Sequence, residues 1–240
     1  MSRRPRRKPE ETYHHGDLRR ALVAEALRVV ERRGLEELSL RALARALGVS
    51  PRAPYRHFAT KEDLLAAVAA EGFRMSAAFT ASRIAKATGP AAQLQSAVEA
   101  YVLFAVDHPA AFRVMYAPYA AVRESAPELL AARGEGHAVM MGLIRDCQDV
   151  GALRAGDPMQ LGLALWSTMH GLAVLLVEGQ LGRFDRPAPA AKLATLVARL
   201  LIEGLRRRPS REETSAAFVA LEGSSAAAPA TSPRAARSRR

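Results

Sequence analysis

Apolar residues recur at helical spacing along most of the chain. In the first segment Leu18, Leu22 and Ala26 fall on one face of a helix, and arginines take the other side. Asp17 is a suitable N-cap for this helix, and Gly34 ends it. No alternation typical of a β-strand lasts anywhere in the sequence, so the pattern predicts an all-α protein.

Two short helices are predicted next, joined by a tight turn. Ser39 caps a helix over residues 40–47, and Gly48 then provides a residue that tolerates positive φ. Ser50 caps a third helix over residues 51–57. Two helices connected by a glycine-containing turn of three or four residues form a helix-turn-helix.

A fourth helix is predicted to follow Thr60, with Asp63 able to complete its N-terminal capping arrangement. Pro51 and Pro54 are both compatible with the short third helix, because the N–H groups of a first helical turn have few partners to lose. Residues 16–72 are therefore expected to form one small helical unit.

Six further helices are predicted in the larger remainder, separated by Gly, Pro and Asp residues. The helix over residues 158–180 is apolar nearly all round, which requires cover on more than one side. The helix after it carries one apolar stripe that includes Leu193, Leu196 and Leu200. The predicted helices span residues 73–87, 91–107, 109–117, 126–149, 158–180 and 188–207.

The net charge of +11 is concentrated at the two ends of the 240-residue chain. Residues 1–15 hold five basic and two acidic residues, and residues 206–240 hold eight basic and three acidic residues. Both ends are rich in Arg, Pro, Ser or Ala and poor in large apolar residues. Such composition predicts a flexible basic arm over residues 1–14 and a disordered tail over residues 208–240.

Several classes of protein are not supported by the sequence. Cys147 is the single cysteine, which excludes a disulfide framework and a cysteine-based zinc site and fits a reducing cytoplasm. No uninterrupted apolar run approaches the roughly 20 residues of a membrane span. We find no phosphate-binding glycine loop, nucleophile elbow or metal-ligand pair at helical spacing. No enzyme, cofactor, metal or membrane association is therefore predicted.

The third helix concentrates side chains that suit nucleic acid. Arg52, Tyr55, Arg56 and His57 crowd this short element, and Lys61 lies just beyond it. A helix that enters the major groove uses arginine for guanine edges, and tyrosine, histidine and lysine for phosphate oxygens. The segment therefore predicts double-stranded DNA as a partner.

The stretch from Ser39 to Phe58, SLRALARALGVSPRAPYRHF, followed by TKEDLL, resembles the DNA-binding domain of the TetR family of bacterial transcriptional regulators. The resemblance runs from about His15 to Gly72 and rests on Gly-Val-Ser, Tyr-x-His-Phe and Lys-Glu-x-Leu-Leu occurring together. It implies a DNA-binding domain over residues 15–75 and a helical ligand-binding and dimerisation domain over residues 76–207.

The resemblance also implies roles for individual residues. Tyr55, His57 and Lys61 would bind the DNA backbone, and Arg52 would read a guanine. Simple packing is the alternative for Tyr55 and the preferred interpretation for Phe58. The expected DNA-binding residues are Ser39, Arg41, Ser50, Pro51, Arg52, Ala53, Tyr55, Arg56, His57 and Lys61.

The segment from Trp166 to Gly171 resembles a Trp-His-Gly-containing C-terminal domain of one TetR subgroup. Trp166 and His170 are four residues apart, so both point to the same face. They either line a ligand cavity or pack in the core or dimer seam, and packing is slightly favoured. The candidate ligand-binding residues are Tyr101, Phe104, Phe112, Met115, Tyr116, Met140, Ile144, Trp166 and His170, with Tyr119 and Met141 as further candidates.

Together these features predict a cytoplasmic, homodimeric transcriptional regulator. The resemblance implies a repressor released from a palindromic operator by a small-molecule effector, with the last two long helices pairing between subunits. The alternative is a non-specific DNA-binding protein that uses its basic ends and has no ligand switch.

Overall fold

The computed structural model describes residues 15–117, 126–183 and 189–206. Every regular element in these ranges is helical, which confirms the predicted all-α class. The predicted arm (1–14) and tail (208–240) lie outside the described residues. The α-helices are α1 (His15–Arg33), α2 (Leu40–Ala46), α3 (Lys61–Ile84), α4 (Pro90–Asp107), α5 (Pro109–Tyr116), α6 (Pro127–Asp149), α7 (Pro158–Val177) and α8 (Ala190–Arg206).

The ends of α1 and α2 show how local sequence sets helix boundaries. Gly34 ends α1 with φ of +82°, and its N–H donates to the carbonyl of Val30 at 2.9 Å. Ser39 caps α2 as predicted, because its side chain accepts from the N–H of Ala42 at 3.1 Å. The start of α1 differs from the prediction. Asp17 lies inside the first turn of α1 rather than at the N-cap position.

The segment predicted as a third helix is not an α-helix. Residues 51–53 form a turn, and a single 3₁₀ turn follows at Pro54–Arg56, so Ser50 is not its N-cap. Proline has no N–H, so Pro54 cannot donate the α-helical hydrogen bond to Ser50. The Ser50 carbonyl instead accepts from the N–H of Ala53 at 3.0 Å. We call residues 51–57 the reading turn.

The helix α3 is one continuous element where two had been predicted. It begins at a capping box in which Thr60 and Asp63 exchange side chain-to-backbone hydrogen bonds, and it continues for 24 residues. Gly72 lies in its interior rather than at a helix end. A Cβ at Gly72 would lie 2.7 Å from Cγ of Met115 in α5, so glycine allows the two helices to pack closely.

Two large apolar clusters hold the helices together. One combines α1, α2 and the first half of α3, and it extends to Val114 of α5 and Leu129 of α6. The other lies between α4, α6, α7 and α8, with Leu94 and Val102 of α4 fully buried. The helix-turn-helix unit therefore shares apolar packing with the larger domain.

Two of the described helices, α3 and α7, have the length and apolar composition of a membrane span. Neither helix was predicted as a membrane span from the sequence, because polar residues interrupt the apolar run in each. In the fold 44% of the relevant stretch of α3 and 33% of that of α7 is buried inside the protein. Core helices of soluble proteins have the same composition, so these two helices carry no membrane assignment.

Candidate DNA-binding surface and ligand cavity

The reading turn presents most of its polar side chains to solvent. Arg52 and Arg56 are exposed, and Tyr55 is 46% exposed, so packing does not explain the tyrosine. Pro54 and Phe58 are buried beneath them. The Arg19 guanidinium lies 5.2 Å from the centre of the Phe58 ring. The buried Pro54 and Phe58 thus anchor the reading turn, while its cationic and aromatic side chains face the solvent.

The other predicted DNA-binding residues vary in exposure. Ser39, Arg41, Ser50 and Pro51 are exposed, whereas Ala53, His57 and Lys61 are half-buried. The Lys61 ammonium donates to the carbonyl of Leu35 at 3.2 Å, which leaves two of its three N–H groups for another acceptor.

A cavity of about 570 Å³ is lined mainly by residues of α3, α4, α6 and α7. This volume lies in the range of small-molecule sites. Its walls are chiefly apolar and aromatic, as in sites that enclose an apolar ligand. Five of the predicted ligand-binding residues line it: Tyr101, Met115, Tyr116, Met140 and Trp166, together with the further candidate Met141.

The remaining candidates do not line the cavity. Phe104, Phe112 and Ile144 are buried in apolar clusters next to the lining residues, and Tyr119 lies outside the described residues. Apolar spacing places a residue on a helix face, but it does not distinguish a face against neighbouring helices from one against empty space.

His170 lies behind the cavity wall and links two residues of it. Its Nδ1 is 2.8 Å from the Tyr101 hydroxyl, and its ring stacks on Trp166 with 5.1 Å between ring centres. Burial lowers the pKa of His170 and raises the pKa of Tyr101, so both side chains are neutral at pH 7 and share this hydrogen bond. Trp166 therefore lines the cavity, while His170 positions it.

Several lining residues were not predicted. They include Phe73, Ser76 and Thr80 on α3, and Arg133 and His137 on α6. The last two precede Met140 by seven and three residues, so they share its helical face. The sequence could have indicated both residues, because they lie on the same face of the predicted helix as Met140.

Apolar side chains of α7 and α8 remain exposed in the single chain, and one of them, Leu163, also lines the cavity. Leu163 and Leu175 of α7 are 61% and 37% exposed, and Leu196 and Leu200 of α8 are 53% and 59% exposed. We call these four residues the leucine face. The opposite side of α8, through Ala194 and Ala198, is buried against the core. Neither helix is fully internal, and the leucine face lacks apolar cover within the described chain.

The two parts of the chain are also joined by an ion-pair network. Glu128, in the first turn of α6, accepts hydrogen bonds from Arg19 of α1 and Arg74 of α3, each at 2.5 Å. Partial burial raises the pKa of Glu128, but the two arginines outweigh it and hold the pKa below its usual range. The carboxylate is thus a charged link between three helices.

Comparisons with known proteins agree with this architecture. Residues 22–68 match the family described as "Bacterial regulatory proteins, tetR family", and residues 94–201 match the "Tetracyclin repressor-like, C-terminal domain". The two matched segments together cover the helix-turn-helix unit and most of the larger domain. No curated protein matches the chain.

Solved structures share the fold. A protein of unknown function from Rhodococcus sp. RHA1 is 32% identical, with 82% of this chain and 100% of that chain covered and a TM-score of 0.70. A tetR-family regulatory protein from Rhodococcus RHA1 is 23% identical, with 78% and 96% covered and a TM-score of 0.58. AibR, solved with isovaleryl coenzyme A and operator DNA, is 18% identical, with 77% and 97% covered and a TM-score of 0.57. On these matches, the chain belongs to the TetR family of bacterial regulatory proteins.

Proposed function

We propose that the protein is a homodimeric transcriptional repressor that leaves a palindromic operator when a small molecule occupies the cavity. The observation that carries this proposal is the reading turn, whose buried Pro54 and Phe58 support exposed Arg52, Tyr55 and Arg56. Arg52 reads a guanine edge in the major groove, and Tyr55, His57 and Lys61 bind phosphates.

A second copy of the chain is the proposed occupant of the leucine face. Apolar side chains on two adjacent helices suit a four-helix interface, and an isologous contact buries the same face of both subunits. Such a dimer presents two reading turns to successive major grooves, about 34–36 Å apart.

The proposed switch connects the cavity with the reading turn. The helix α3 follows the reading turn at one end and contributes Thr80 and Ile84 to the cavity wall near the other. A ligand changes DNA affinity only if it binds the DNA-competent and DNA-free arrangements with different affinity. AibR, crystallised with both a coenzyme A thioester and operator DNA, shows that this fold accommodates both kinds of partner.

Finer assignments belong to the same proposal. We infer a boundary near residues 75 and 76, although α3 crosses it without a break. The Trp-His-Gly pattern of Trp166, His170 and Gly171 supports placing the larger domain in that subgroup. The proposed protein is cytoplasmic and acts without enzymatic activity or a cofactor.

Selection of genomic fragments by the purified full-length protein tests the proposal. We expect the bound fragments to share a symmetric sequence, and footprinting should show protection of both half-sites. Fragments without a common symmetric sequence would instead support the alternative of non-specific binding through the basic ends, with a steep loss of affinity in salt.

A further inference from the structure

We infer that the effector is an apolar molecule with a single carboxylate, and that Arg133 and His137 bind this carboxylate at the mouth of the cavity. This inference rests on the proposed function, because it assumes that the cavity holds the effector. It adds the chemical class of the ligand, which follows from the distribution of charge around the cavity.

The charge of the described cavity lining comes from one residue. Arg133 is its one lining side chain with a full charge at neutral pH, and the described lining contains neither aspartate nor glutamate. Arg133 forms no ion pair with any residue in the described ranges. One unneutralised guanidinium matches the charge and planar shape of one carboxylate, whereas a phosphate dianion calls for more positive charge.

The polarity of the wall changes along α6. Arg133, His137, Met140 and Met141 lie on one face of the helix, and all four line the cavity. Arg133 and His137 are exposed, Met140 is half-buried and Met141 is buried. This gradient orients a bound molecule with its polar group at the mouth and its apolar part inside.

Two hydroxyl groups on α3 add neutral polar contacts. Ser76 and Thr80 line the cavity and make no side-chain hydrogen bond with any described residue. Ser82 and Thr168, outside the cavity, donate to carbonyls of their own helices. The hydroxyls of Ser76 and Thr80 thus remain available to a ligand oxygen without adding charge.

The exposure of Arg133 limits how much the carboxylate contributes to affinity. Ion pairs at exposed positions change an equilibrium constant by about 1.4- to 5-fold. The apolar part of the ligand therefore provides most of the affinity, and Arg133 provides the preference for an anion over a neutral molecule of the same shape.

Fluorescence of the full-length protein provides the test. Trp166 is the single tryptophan of the chain and lines the cavity, so its emission reports occupancy. The probes are decanoate, 1-decanol and decylamine, which share a chain and differ in charge. We expect decanoate to bind about 2- to 5-fold more tightly than decanol, and decylamine to bind most weakly.

Three variants make the result specific. Arg133→Gln should remove the preference for decanoate and leave decanol affinity unchanged. Arg145→Gln is the matched control, because Arg145 is exposed on the same helix but does not line the cavity. It should keep the preference. Ala77→Phe fills the cavity and should weaken all three probes alike.

The outcomes separate this inference from the proposed function. Equal affinity for decanoate and decanol, or a preference that survives Arg133→Gln, overturns the carboxylate inference and leaves the cavity as the effector site. No change in Trp166 emission with any probe, or binding that Ala77→Phe does not weaken, overturns both the inference and the cavity as the effector site.

Discussion

Arg19 of α1 donates a hydrogen bond to the carboxylate of Glu128 in the first turn of α6, with 2.5 Å between the two atoms. The second carboxylate oxygen accepts from Arg74 of α3. The three side chains are 37–42% exposed, so the free energy of this network is small. Its main consequence is positional, because it holds the helix-turn-helix unit against the larger domain.

Glu128→Gln should lower the free energy of unfolding by about 0.5–1 kcal/mol at pH 7. Because the pKa of Glu128 is lowered in the folded protein, its stabilising effect is complete above about pH 4.3 and is lost as the pH falls through the folded pKa. Urea denaturation from pH 7 to pH 3 measures this difference. Glu71→Gln is the control. Among the described residues Glu71 forms an ion pair with Arg74 alone, so this variant should lower the free energy of unfolding by less. A difference between wild type and Glu128→Gln that stays constant down to pH 3 would contradict the assignment.

Arg52→Ala should weaken operator binding by about 5- to 150-fold and relax the preference for one base pair in each half-site. Binding to scrambled DNA should change much less, since the loss concerns a base contact. Gel shifts with both DNAs measure the two affinities. Arg83→Ala, which removes a half-buried arginine in the last turn of α3, is the control. Equal losses on operator and scrambled DNA would show that Arg52 binds only the backbone.

Leu200→Glu should convert the proposed dimer into a monomer, because it places a charge on the leucine face. The substitution should change the free energy of unfolding of the single chain little, since Leu200 is 59% exposed. Val150→Glu is the control, because Val150 is 62% exposed and lies in the turn after α6. Sedimentation equilibrium measures both variants. A dimeric Leu200→Glu protein, or a monomeric Val150→Glu protein, is incompatible with the proposed interface.

His170→Phe should lower the free energy of unfolding by about 1 kcal/mol at pH 8, because the hydrogen bond between the imidazole and the Tyr101 hydroxyl is lost. Burial lowers the pKa of His170 in the folded protein, so wild-type stability falls as the pH drops below about 6.5 towards the folded pKa. The difference between wild type and variant should therefore narrow towards pH 5. Tyr101→Phe loses the same hydrogen bond but keeps the imidazole, and it should retain the wild-type pH dependence. Parallel pH profiles for wild type and His170→Phe would refute this role.

Features that depend on neighbouring residues alone were predictable from the sequence. Ser39 and Thr60 cap α2 and α3, and Gly34 ends α1, because each acts within one helical turn. The reading turn was recognised for the same reason: its side chains are consecutive in the chain, so their proximity needs no tertiary information.

Features that depend on packing were not predictable in this way. The predicted division between residues 72 and 73 does not occur, and the approach of Met115 explains Gly72 without any break in α3. The single 3₁₀ turn at Pro54–Arg56 is a different case: its cause, the missing N–H of Pro54, is local, but the prediction of a helix over residues 51–57 gave it too little weight. Met140 lines the cavity and Ile144 does not, although both are apolar residues of α6. The positions of the neighbouring helices decide this difference.

Because α3 is continuous, it can transmit a movement at the cavity wall to the reading turn. Twenty-four residues of α-helix extend about 36 Å, from Lys61 beside the reading turn to Ile84 in the cavity wall. A tilt of about 5° around the Ile84 end moves the Lys61 end by about 3 Å over that length. Such a tilt changes the distance between the two reading turns of a dimer while each turn keeps its internal hydrogen bonds. An effector that fills the cavity can therefore alter the fit to two half-sites without unfolding either one.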